Sequence, residues 1–279
     1  MKKKIEKKLT KQGVKEKDAG VQAIRTLVRA REDFQSMRKR MDNRLGRKAN
    51  GEEQNIQQRN FASNDLNNFE MISNEAKRQE QIIEKMLLNA LKQFPIYNKF
   101  LLKVKGIGPI SSGWIIGEFD IRIATTVSKL WQFSGLNPGM VRGQKRVDNE
   151  EDGTFTYVKT DQLVPGDKLT PEFVAPFNKR LRTALVGVMA DSFIKSKNDY
   201  YLNFYLPYKA RLENEDSVIN RNGEKKKWKE VSKGRRDRAA KRYMIKMFLK
   251  DLYAVWCEIE GLPVRVPYAE EYLGRDHAA

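Results

Sequence analysis

The sequence predicts a mostly α-helical protein. Coiled-coil helices come first, followed by a helical domain with a helix-hairpin-helix and one small β-hairpin insertion. Three observations carry that expectation. Apolar residues recur at three- and four-residue steps along most of the chain, which is the helical period. Residues 103–112, Lys-Val-Lys-Gly-Ile-Gly-Pro-Ile-Ser-Ser, read as the tight turn between two helices. A strand-turn-strand pattern appears only in residues 140–170.

Taken in order, residues 1–17 are a Lys-rich arm with little apolar content, expected to stay mobile until a polyanion orders it. From about Gly20 to Leu45, residues Ile24, Leu27, Val28, Phe34, Met41 and Leu45 trace a helical stripe, with Arg31 and Arg38 on or beside it. Gly46 to Gly51 reads as a turn, and a long helix is expected from about Glu52 to Gln93. On that helix Phe69, Ile72, Ala76, Ile83, Met86 and Ala90 form a heptad seam, with polar Gln79 filling one step. The seam suits an antiparallel coiled-coil pair or a dimerising coil. A homodimer through residues 20–93 is expected, with Gln79 helping to fix register; the alternative is an ordinary amphipathic helix packed on its own domain. Pro95 ends or kinks the helix.

The helix-hairpin-helix follows at about 97–118. Leu101, Leu102 and Val104 suit the end of its first helix. Gly106 and Gly108 allow positive φ and close backbone approach, and Pro109 suits the first turn of the next helix. Ile110, Ile115, Ile116 and Phe119 give that helix its apolar face. A short helix at roughly 125–134 is broken by Ser134-Gly135-Leu136-Asn137-Pro138-Gly139. Val141 to Val147 and Phe155 to Val158 can pair across the acidic turn Asp148 to Gly153. Pro171 is expected to start a long helix with Phe177, Leu181, Ala184, Leu185 and Val188 on one face. Tyr200 to Leu212 is rich in Tyr and Phe, as core or as base-stacking platforms, and residues 213–233 read as a polar loop. The last helix, about 234–260, has Met244, Met247, Leu252, Val255 and Ile259 on its apolar face. The units are thus a basic arm (1–17), coiled-coil helices (18–94) and a nucleic-acid-binding domain (95–279).

Lys and Arg number 54 against 36 acidic residues, a net charge of +18 in 279 residues. That imbalance favours a polyanion, either nucleic acid or an anionic membrane surface. No stretch approaches the ~20 apolar residues needed to span a bilayer. The basic N-terminus has no apolar run behind it, so no signal peptide and no membrane partner are expected. One cysteine, Cys257, and one distant histidine, His277, make neither a zinc site nor a disulfide framework. The expectation is a cytoplasmic, nucleoid-associated protein without cofactor or structural metal, with carboxylate-bound Mg²⁺ left open.

A hairpin entering a helix N-terminus offers backbone N–H groups to a phosphate. Its candidate contacts are Lys103, Lys105, Gly106, Gly108, Ser111 and Ser112. Arg142, Lys145 and Arg146 lie on one arm of the β-hairpin, and Lys179, Arg180 and Arg182 decorate the following helix. On the last helix Arg235, Arg238, Arg242 and Lys246 recur every three or four residues, with Arg236 and Lys241 beside them. A charge stripe is usually a solvated face, but this one is almost wholly positive, which favours phosphate contact. Catalysis is not expected. Asp148, Glu150, Glu151 and Asp152 read as a solvated hairpin tip, and Ser111 and Ser112 have no His to activate them.

Assembled, these residues resemble a known family. Gly106-Ile107-Gly108-Pro109, then Ile115-Ile116-Gly117-Glu118-Phe119-Asp120, then Leu130-Trp131-Gln132-Phe133-Ser134-Gly135-Leu136-Asn137-Pro138 resemble the C-terminal domain of bridge-RNA-guided insertion-sequence transposases. Asn178-Lys179-Arg180-Leu181-Arg182 and Ala239-Ala240-Lys241-Arg242 fall in the matching order, so the resemblance covers about residues 95–260. Two features depart from that family. Gly139-Met140-Val141-Arg142-Gly143-Gln144 stands where the transposases carry a catalytic serine, and the next serine is Ser192. The first 95 residues are helical and basic where the transposases carry an acidic nuclease-like domain. The Tas proteins of tandem-interspaced-guide-RNA (TIGR) systems fit that deficit. They share the transposase-like domain, resemble the Nop-type core proteins of box C/D ribonucleoproteins, and in some cases lack a nuclease. The chain resembles a nuclease-free Tas protein. The resemblance implies a Nop/transposase-like second domain, a guide RNA as partner, and target DNA reached by RNA pairing, with sequence read by base pairing and backbone read by protein. The competing readings are a divergent transposase that still cuts or joins DNA, and a protein that coats nucleic acid by charge alone.

Overall fold

A computed structural model describes residues 2–46, 63–149, 153–221 and 224–265. The chain is mostly helical. Its elements run α1 (Lys2–Arg44), α2 (Ser63–Leu91), α3 (Pro95–Lys99), α4 (Pro109–Glu118), α5 (Val127–Phe133), β1 (Met140–Asp148), β2 (Phe155–Pro165), α6 (Lys179–Arg182), α7 (Ala190–Ser196), α8 (Leu206–Asn214), β3 (Val218–Arg221), β4 (Glu224–Lys227) and α9 (Lys233–Glu260). Thr183–Met189 and Tyr201–Tyr205 are π-helical. The chain divides into two compact units, residues 1–97 with 112–118, and residues 98–111 with 119–279. Most of α4 therefore belongs with the first unit, which the expected boundary at residue 95 does not anticipate. Most of the turn expected at 46–51, the start of the helix expected from Glu52, the tip residues 150–152 and His277 lie outside the described residues.

In the first unit α1 and α2 pack antiparallel. Arg31 pairs with Glu84 at 3.0 Å and Glu80 at 3.3 Å, Arg38 with Glu80 at 2.6 Å, and Ser73 donates to Asp42 at 2.7 Å. The order of partners along α2 is the reverse of that along α1. The helix begins at Lys2, inside the segment expected to be a mobile arm. The seam also differs from the expected one. Ser73, Ala76, Glu80, Ile83, Leu87 and Leu91 are buried, whereas Ile72 and Met86 are exposed. Gln79 does not set the seam; it donates to Glu75 on the surface at 2.8 Å. The polar residue in the seam is Glu80, 5% exposed and bound by two guanidinium groups. The partner filling this seam is the chain's own α1.

The Ser112–Glu118 part of α4 packs on this pair through two glycines one helical turn apart. A Cβ on Gly113 would stand 2.6 Å from Val28 Cγ2, and one on Gly117 would stand 3.2 Å from Arg25 Cγ. Arg25 donates to the Gly117 carbonyl, and Trp114 Nε1 donates to Glu32 at 2.7 Å.

In the second unit the centre is α9. Ala239, Ala240, Met244, Ile245, Met247, Phe248, Leu249, Leu252, Tyr253, Trp256 and Cys257 are buried along it, including the lone thiol. Trp131 on α5 donates to the Lys246 carbonyl at 3.1 Å, and Tyr253 to the Thr125 carbonyl at 3.0 Å. The helix expected from Pro171 starts at Lys179, because Asn178 caps it by accepting from the Leu181 N–H at 3.0 Å. β1 and β2 form the expected antiparallel hairpin, with a bulge between Arg142 and Gln144. β3 and β4 form a second hairpin in the segment read as a loop. Among the described residues no helix is long and apolar enough to cross a membrane.

The seam predicts its own test. Glu80→Ala strands two partly buried guanidinium groups and should lower the unfolding free energy by about 2 kcal/mol in urea titration. Gln79→Ala should stay within about 0.5 kcal/mol of the parent.

Candidate nucleic-acid interface

The hairpin turn is built from Val104 to Gly108, with Ile107 N–H closing on the Val104 carbonyl at 3.0 Å. Its two glycines have different jobs. Gly106 sits at φ +94°, and a Cβ there would fall 2.6 Å from Ser196 Oγ and 3.2 Å from the Ser192 carbonyl. Only glycine fits, and the constraint comes from α7. Ser192 donates to the Gly106 carbonyl at 2.7 Å, while Asn198 and Ser196 donate to the Lys105 carbonyl at 2.9 and 3.3 Å. Gly108 does not adopt positive φ, contrary to the sequence reading, and a Cβ there meets nothing within 4 Å. Its surface is open to a ligand. Lys103 and Lys105 are exposed beside it, and Ser111 is half-buried. Ser112 leaves the interface: it is 0% exposed, and its Oγ has no hydrogen-bond partner.

The stripe on α9 is more extensive. Arg235, Arg238 and Arg242 share one face with Lys246, spaced by three or four residues. Arg182, just ahead of the π-helical turn, reaches the same neighbourhood. Its guanidinium lies 4.8 Å from the Phe177 ring centre and donates to the Asp167 carbonyl. Burial holds the Arg242 guanidinium below the usual arginine value, and the like charges of Arg182 and Arg235 lower it further, against the opposing pull of Asp167. Arginines are thus gathered closely enough to repel. Burial also lowers Lys246, whose ammonium stands 4.3 Å from the Trp131 ring centre.

Two more residues in the predicted set are engaged within the fold. Arg236 is 8% exposed, and its Nη1 donates to the carbonyls of Val231, Lys229 and Trp228 at 2.6, 3.0 and 3.5 Å. Lys241 sits between Asp191 at 2.7 Å and Asp237 at 3.1 Å. Both help hold the fold. Beside the stripe, Tyr208 of the aromatic segment named from the sequence gains two partners that sequence reasoning missed, Tyr243 and Arg211. Tyr208 and Tyr243 stack at 4.3 Å with a 16° interplanar angle, and Arg211 lies 4.8 Å from the Tyr208 ring centre. The Tyr208–Arg211 spacing of three on one helix is the signal that could have found them.

On the β-hairpin, Arg142 lines a cleft of about 310 Å³ with Gln132, Gln144 and Lys159. Lys145 lies 5.3 Å from the Phe173 ring centre. Arg146 pairs with Asp148 at 2.6 Å and covers Phe155 at 4.2 Å, so its charge is partly spent on its own strand. Lys179 is exposed and Arg180 half-buried. Among the described residues no group of His, Cys, Asp and Glu is placed to hold a metal ion. No protein-family model and no curated protein matches the chain.

The division of labour between the glycines is testable. Gly106→Ala should destabilise the protein, read as a lower melting temperature, because strain and overlap both arise. Gly108→Val should leave melting unchanged and weaken single-stranded RNA binding. An unchanged RNA affinity in folded Gly108→Val would remove the hairpin from the interface.

Proposed function

We propose that the protein binds a guide RNA and forms an RNA-guided, DNA-targeting ribonucleoprotein without a nuclease of its own. It acts in the cytoplasm at the nucleoid, in a prokaryotic or phage-infected cell. The observation that carries the reading is the cationic line on α9, where Arg242 lies close enough to Arg182 and Arg235 to be opposed by their charge and Arg238 shares the same face. Such crowding is unfavourable in the free protein and is relieved when a polyanion supplies the counter-charge. The stacked Tyr208–Tyr243 pair with Arg211 gives unpaired bases a π-face, which suits single-stranded or looped RNA. The resemblance of residues 95–260 to the transposase-like domain of Tas proteins points the reading from nucleic acid in general to a guide RNA.

The assembly in this reading is a homodimer through the α1–α2 pair. Met71, Ile72, Ile82 and Met86 remain exposed on α2 and supply its apolar contact. Light scattering should find two copies, and a monomer with and without RNA would remove the dimer.

Binding should fall steeply with salt, with a log–log slope of about −0.7 to −0.9 per neutralised phosphate. Replacing Arg235, Arg238 and Arg242 together should reduce that slope by about two to three. RNA that copurifies should be a discrete small species of repeated sequence and should outcompete scrambled RNA of equal length. Equal affinity and equal slope for both would leave only a nucleic-acid-coating protein.

A further inference from the structure

A cavity of about 520 Å³ opens beside the hairpin turn, and none of the α9 arginines lines it. Lys103 and Lys105 from the turn and Lys197 at the end of α7 stand on its wall. Phe100, Tyr200 and Phe204 supply aromatic surface, and Asn203, Asp199 and Asp251 supply polar edges. Among the described residues none of the three lysines pairs with a carboxylate. The volume falls within the range of small-ligand sites.

The wall is held in place. Asn198 and Ser196 donate to the Lys105 carbonyl and so tie the turn to the end of α7. Tyr200 donates to Asp251 at 2.8 Å and stacks on Phe193 at 5.7 Å and Phe204 at 6.1 Å. Phe100 stacks on Phe248 at 6.0 Å. Lys197 adopts the left-handed conformation, φ 48°, which residues with a Cβ rarely take. It is the described residues' one non-glycine at positive φ, and it lies on this cavity.

Rings and unpaired ammonium groups on one preformed wall select a ligand that is flat and aromatic at one end and anionic at the other. An apolar ligand has no use for the lysines, and an acidic peptide has none for the rings. We infer that this cavity seats a single nucleotide, its base against Phe100, Tyr200 and Phe204 and its phosphate among Lys103, Lys105 and Lys197. The inference rests on the nucleic-acid reading above and deepens it. The same chemistry fits a nucleotide splayed out of a bound strand and a free mononucleotide.

The test uses the full chain with two probes, an oligouridine strand of about ten nucleotides and uridine monophosphate, alongside a blunt RNA duplex of the same length. Ultraviolet crosslinking followed by peptide sequencing should place uridine on Phe100, Tyr200 or Phe204. A crosslink from the strand assigns the site to a splayed nucleotide, and one from uridine monophosphate alone assigns it to a free mononucleotide. Phe204→Leu keeps apolar bulk but removes a π-face, and should weaken single-strand binding about tenfold while sparing the duplex. Asn203→Glu, at an exposed position, places a negative charge on the wall and should act in the same selective way. Equal losses for strand and duplex, or no crosslink to these rings from either probe, overturn the inference. Strand binding that survives with its steep salt dependence would still leave the nucleic-acid reading standing. Should no RNA bind at all, that reading falls, and uridine monophosphate alone decides the cavity.

Discussion

The second unit depends on how much of α9 is buried. A helix that loses most of its circumference to neighbours has one strip left for charge. Met244, Ile245, Phe248, Leu249 and Leu252 are buried along α9, while Trp131 and Tyr253 tie it to the chain ahead of and within α5. The inward-turning cations Arg236 and Lys241 had to be satisfied internally, by three carbonyls and two carboxylates. What remains outside is a line of arginines with no room to spread. Burial of the apolar side and crowding of the charged side are two consequences of one placement.

Much of this was legible in the chain. The 3.6-residue period located α5 and α9 to within about two residues, and alternation around a turn located β1 and β2. The seam of α2 was misread because two of its buried positions are polar. Counting apolar residues passes over Ser73 and Glu80 and shifts the stripe onto Ile72 and Met86. Only the partners on α1, Asp42 for Ser73 and Arg31 with Arg38 for Glu80, make those positions sensible, and they lie dozens of residues away. The start of α6 was misplaced because Pro171 looked like a first-turn proline, whereas Asn178 makes the cap.

The candidate interface was legible in its charges and not in their orientation. Spacing brought Arg235, Arg238 and Arg242 together correctly, yet gave no sign that neighbouring Arg236 points into the fold. The Gly-x-Gly of the hairpin looked like a symmetric device. Its first glycine answers to Ser192 and Ser196, some ninety residues on, and its second answers to nothing within the fold. Long-range packing separates the two, and local sequence carries no trace of it.

The π-helical turns at Thr183–Met189 and Tyr201–Tyr205 have a consequence for how the chain tolerates length changes. Each widened turn accommodates more residues than an α-helical one, and its hydrogen bonds span one residue more. Deleting one residue inside either would let the helix close to ordinary pitch and leave everything beyond it nearly in phase. The same deletion in the regular α-helix α9 has no widened turn to absorb it and would rotate everything beyond by about 100°, carrying Arg235 and Arg238 out of line with Arg242. A deletion in the β3–β4 hairpin, by contrast, would shift no helix face. Related chains should therefore vary in length at such surface hairpins and at these two turns, and keep their spacing along α9.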